Sequence, residues 1–220
     1  MSVKEILNNL NISPKINLDN FFELLFNKNG EIISYDNLKN NFISYFSRYT
    51  NFSEKNFEKI MNETKINMNK EINLTEFIIS MSKIRNKEIT SPFLLFYVLS
   101  YQLNKKYSKY TTSEFITRNS LSIEDEININ QFMFKITKNL DITELNSLII
   151  FKSLLFDKKS LIKVNDFVNV TDSFRYNENN PKKIDNGILR NNQHLIESLD
   201  NLNKVCKGKN IKEIEIFKSL

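Results

Sequence analysis

Apolar residues recur along most of this chain at three- and four-residue intervals, the spacing of an amphipathic helix. Val3, Ile6, Leu7 and Leu10 form the first such stripe, and Leu18, Phe21, Phe22 and Leu25 the second. Leu38, Phe42 and Tyr45 follow, then Phe57, Ile60 and Met61, then Phe77, Ile78, Met81 and Ile84. Leu95, Val98 and Leu99 continue the pattern, as do Ile129, Phe132, Met133 and Ile136, and finally Leu145, Leu148 and Ile149. No alternating pattern of strand type runs beyond a few residues, so the expected fold is all-α with very short β bridges at most.

Punctuation supports this reading. Ser91-Pro92 places an N-cap before a proline at the first helical position, where no N–H is needed. Ser2-x-x-Glu5, Thr111-x-x-Glu114 and Asp141-x-x-Glu144 each have the form of a capping box. Near the end the pattern changes. Asn177 to Lys183 is polar and interrupted by Pro181, which marks a linker. Beyond Gly187, Leu195, Leu199 and Leu202 form a last stripe, followed by Lys204, Lys207 and Lys209. A lone helix cannot bury such a stripe on itself, so these six residues are the expected partner-binding set.

The helical stripes repeat. Leu18, Phe21, Phe22 and Leu25 return 39 residues later as Phe57, Ile60, Met61 and Thr64, and again 38 residues on as Leu95, Val98, Leu99 and Gln102. Each block is followed at a fixed offset by an apolar anchor, Leu38, Phe77 or Phe115, and just before each anchor stands Ile33, Ile72 or Tyr110. Helix, loop, Ile, Glu-Phe and helix in that order resembles the EF-hand, the helix–loop–helix calcium motif. Lys65 to Phe77 shows it best, with Ile72 at loop position 8, Glu76 at position 12 and Phe77 after it. Residues 27–37, 120–131 (with Ile127 and Phe132) and 155–166 (with Ile162 and Phe167) fit the same register, while 103–114 is a rival third loop on the repeat period. The resemblance covers about residues 16–174 and is closest to the calmodulin, centrin and myosin light-chain group. It implies paired helix–loop–helix lobes, at 1–90 and 91–174, with bridges at Ile33–Ile72 and Ile127–Ile162, and a linker and basic tail over 175–220.

The metal function of that family does not carry over. Calcium needs six to eight oxygens and several carboxylates. Loop 65–76 opens on Lys65, has Lys70 where the motif has glycine, and offers Asn67, Asn69, Asn73 and Glu76, with one carboxylate among them. No metal or other cofactor is therefore expected, and a calcium sensor is the lowest-ranked alternative.

Composition narrows the function further. The chain has 18 Phe and 8 Tyr but no Trp, three Gly, three Pro and one Cys among 220 residues. Alanine is absent and Asn is abundant, the mark of an A/T-rich coding bias, so periodicity is a safer guide than propensity. Three scattered glycines exclude a phosphate-binding loop or dinucleotide fingerprint. His194 and Cys206 are single and lack an orienting group nearby, so neither a zinc site nor a nucleophile pair is expected, and the chain reads as a non-enzyme. A single cysteine fits a reducing compartment, and no apolar run approaches membrane-spanning length, so a cytoplasmic, cytoskeleton-associated location is expected. Net charge is +5, and residues 175–220 hold 9 Lys/Arg against 6 Asp/Glu. The expected role is a light-chain-like or scaffold subunit that binds helices of a larger cytoskeletal or motor-type assembly. The alternative is a basic accessory protein of a nucleic-acid or ribonucleoprotein complex, resting on the pI near 9.1.

Overall fold

The computed structural model describes residues 1–66, 71–155 and 160–174, and the tail stripe with its lysines lies outside them. In chain order the first elements are α1 (Val3–Asn9), α2 (Leu18–Asn29), β1 (Ile32–Ser34), α3 (Tyr35–Phe46), α4 (Glu54–Thr64), β2 (Glu71–Asn73), α5 (Leu74–Arg85) and α6 (Pro92–Tyr107). There follow α7 (Thr112–Arg118), β3 (Glu126–Ile127), α8 (Ile129–Lys135), a 3-10 turn (Thr137–Leu140), α9 (Glu144–Ser153), β4 (Ile162–Lys163) and α10 (Val164–Phe174). The described chain is thus helical, with two two-stranded antiparallel sheets of two or three residues per strand.

Most helix starts are set by local side chains. Ser2 and Glu5 form the reciprocal capping box at α1, and Thr111 and Glu114 form the one at α7. Ser91 Oγ accepts the Leu94 N–H at 3.2 Å at the head of α6. The third expected box is different. Asp141 lies in the left-handed region (φ 50°) at the end of the 3-10 turn and pairs with Lys106 at 2.9 Å. Thr143, adjacent to the helix, caps α9 instead by accepting the Asn146 N–H.

The chain divides into two compact units, Met1–Tyr101 and Gln102–Leu220. The division falls inside α6. The physical reason is that the first half of α6 is bound to α2: the Tyr97 and Phe26 rings stack at 4.1 Å, and Phe93 meets Phe26 edge-on at 6.4 Å. Residues 94–100 are buried on every face of this helix, which explains its uniformly apolar sequence.

In the first unit, phenylalanines from four helices meet. Phe42 of α3 lies 6.2 Å from Phe22 of α2, 5.5 Å from Phe57 of α4 and 6.3 Å from Phe77 of α5, centroid to centroid. The short helix α1 packs on α4 and α5 through Ile6 and Leu7, both buried. In the second unit Phe132 of α8 stands 5.6 Å from both Phe151 of α9 and Phe167 of α10. The aromatic anchors predicted after each loop, Phe77, Phe132 and Phe167, are therefore core residues.

Candidate functional site

The helices are organised around two pairs of loops. β1 and β2 pair antiparallel with Ile33 opposite Ile72, and β3 and β4 pair with Ile127 opposite Ile162. All four isoleucines are buried, and each side chain so placed contributes about 1.5–3 kcal/mol. The two pairs also share one further bond. Leu74 N–H donates to Glu31 C=O at 2.8 Å, and Val164 N–H donates to Asp125 C=O at 2.9 Å. In both cases the donor follows the second bridging isoleucine by two residues and the acceptor precedes the first by two. The two units thus close their loops by the same construction. The rival third loop, 103–114, is occupied by the end of α6 and the start of α7 and carries no bridge.

Loop side chains are engaged in holding this construction together. Asn73 Oδ1 accepts the Glu76 N–H at 3.0 Å and caps α5, while its Nδ2 donates to Glu31 Oε1 at 3.1 Å. Glu76 itself is exposed. Lys65 ends α4 in the left-handed region with φ 54°. Asn67 and Asn69, with Lys70, lie outside the described residues, as do Leu195, Leu199, Leu202, Lys204, Lys207 and Lys209. Asn73 Oδ1, at the ninth position of loop 65–76, thus serves as the cap of α5. Among the described residues no three His, Cys, Asp or Glu side chains gather in a group suited to a metal ion.

Glu31 is a feature the sequence did not signal. Its carboxyl is pushed above the ordinary glutamate range, chiefly by burial, and the hydrogen bond from Asn73 opposes the shift. Tyr97 of α6 is pushed upward as well, by burial first and by the charge of Glu31 second. Equally illegible was the tie between α2 and the head of α6. Asp19 Oδ2 accepts from Thr90 N–H at 2.9 Å, Thr90 Oγ1 at 2.7 Å and Ser91 N–H at 3.2 Å. Ser91 Oγ donates to Glu23, whose carboxyl burial raises, the Ser91 bond opposing and Asp19 adding to the rise. Two carboxylates at a helix N-terminus are favourably placed against its partial positive charge. Burial works against the charge of nearby Arg85, and Asp19 offsets it.

These groups fasten elements to one another; each buried acid is already hydrogen-bonded to a neighbour. Comparison with protein-family models, with curated proteins and with solved structures finds no match. No helix among the described residues is long and apolar enough to cross a membrane.

Proposed function

We propose that this chain is a non-catalytic subunit of EF-hand type, light-chain-like or scaffolding, that holds a helix of a larger cytoskeletal or motor-type assembly without calcium. The observation that carries the reading is the duplicated loop closure: Ile33 opposite Ile72 and Ile127 opposite Ile162, each followed by the same exit hydrogen bond. Helix–loop–helix pairs joined in this way frame apolar surface between their helices, and an amphipathic helix is the occupant such a surface takes. Calcium independence is supported by Lys65 at the first loop position, where it ends α4. The Lys65 ammonium and the single carboxylate at a ligand position, Glu76, both disfavour a divalent cation there.

The test has two steps. The tagged chain is isolated with its native partner, and the partner's helical segment is then made as a synthetic peptide and titrated against the purified chain. Equal affinity in chelator and in millimolar calcium supports the proposal. Binding that appears only with calcium, or recovery of nucleic acid in place of a protein partner, overturns it.

A further inference from the structure

We propose that the second unit carries a docking surface for an acidic, partly apolar protein segment, built where α6, α7 and α8 end. Three independent stretches of chain converge there. Lys106 Nζ donates to the Asn139 carbonyl at 3.1 Å, Asn139 Nδ2 donates to Asn119 Oδ1 at 3.2 Å, and Lys135 Nζ donates to the Ser120 carbonyl at 2.8 Å. The last turns of the three helices bring Lys105, Lys106, Arg118 and Lys135 to this place, and the 3-10 turn adds Lys138. Asp141 pairs with Lys106 at 2.9 Å, and Glu114 stands one turn before Arg118. Two of the cations are seated on aromatic rings: Arg118 lies 4.0 Å from the Tyr110 centroid, and Lys138 lies 4.8 Å from that of Phe134. A ring holds a cation in place without neutralising it. Phe134 is 66% exposed and supplies an apolar contact beside Lys138.

Cations in a last turn also offset the carbonyl ends of their own helices. That role accounts for single last-turn cations, whereas here several helix ends are tied together and an exposed phenylalanine stands beside Lys138. The chemistry favours a protein over a nucleic acid. Guanidinium and ammonium groups lie over the ring faces on which bases would stack. A short segment with carboxylates around an apolar residue meets the cations and covers Phe134. The inference rests on the reading above only in taking the partner to be a protein; it uses a different surface, and its failure leaves calcium-independent helix binding untouched.

The experiment is fluorescence anisotropy with the full chain and a labelled helical peptide bearing Glu around a central Leu, in low salt and at ~150 mM NaCl. A single-stranded oligonucleotide of equal charge serves as the second probe. Saturable peptide binding is expected, weakened by salt. The double variant Arg118→Glu/Lys138→Glu should lose at least about tenfold in affinity while its melting temperature stays within a few degrees. Phe134→Ala should weaken binding severalfold at unchanged charge, which keeps the test decisive even where the double variant folds poorly. Absence of saturable binding in low salt, unchanged affinity in both variants, or tighter binding of the oligonucleotide than of the peptide overturns the proposal.

Discussion

Replacing Phe42 by alanine tests the architecture of the first unit most directly. The side chain is wholly buried, and its ring lies 4.7 Å from Phe21, 5.2 Å from Phe46 and 5.5 Å from both Phe52 and Phe57. Phe22 and Phe77 complete the shell at 6.2 and 6.3 Å. A Phe→Ala change in a core costs about 3–5 kcal/mol, the value rising with the volume that neighbours cannot refill. Here the neighbours are large rings rooted in α2, α3, α4, α5 and the segment before α4, so collapse onto the gap would require several elements to move together. The upper part of the range, about 4–5 kcal/mol, is therefore expected. Against a total of about 5–15 kcal/mol for an ordinary domain, that loss leaves the unit close to unfolding at room temperature. Urea denaturation followed by circular dichroism and by tyrosine fluorescence measures it, and coincidence of the two probes checks that one transition is being read. Phe134→Ala, on an exposed ring, is the matched control and should change stability by no more than about 0.5 kcal/mol. A loss at Phe42 below about 1.5 kcal/mol, or one equal to the control, would mean that the six rings do not form the packed centre described here.

Three other outcomes follow from the same geometry. Because burial raises the Glu31 and Glu23 carboxyls in the folded chain, their contribution to stability is full below the ordinary glutamate value and is lost as pH rises through the folded values. Glu31→Gln should then melt higher than the parent at pH 7 and nearly level with it in mild acid; identical pH profiles would contradict the assignment. Thr111→Ala removes the oxygen that accepts the Glu114 N–H at 3.2 Å at the head of α7, and a loss of about 0.5–2 kcal/mol in urea midpoints is expected. Millimolar calcium should produce no saturable calorimetric heat and no rise in melting temperature, since loop 65–76 opens on Lys65 and has Glu76 as its one carboxylate at a ligand position; micromolar binding would refute that view.

Much of the secondary structure was written locally. Capping at Ser2, Ser91 and Thr111 depends on residues three apart, so the chain announces those helix starts without knowing its fold. The registers Ile33–Ile72 and Ile127–Ile162 were readable for a related reason: each bridging isoleucine stands at the same short distance before the apolar anchor of the helix that follows, Leu38, Phe77, Phe132 or Phe167. Asp141 misled because a box of three residues ignores the turn in which it sits, and the left-handed backbone there belongs to the end of the preceding 3-10 turn.

What only the tertiary structure decided are contacts between residues far apart in sequence. Asp19 meets Thr90 and Ser91 some 71 and 72 positions away, and Glu31 meets Asn73 across 42. Nothing in the local pattern around an acidic residue distinguishes a solvated carboxylate from one that will cap a distant helix. The same holds for Lys106, Arg118, Lys135 and Lys138, each an ordinary last-turn or surface cation in sequence. Periodicity records which face of a helix turns inward, because burial acts on every turn of it. It does not record which elements become neighbours, because that depends on how the buried faces pack together, and charge is gathered or dispersed only once they have done so.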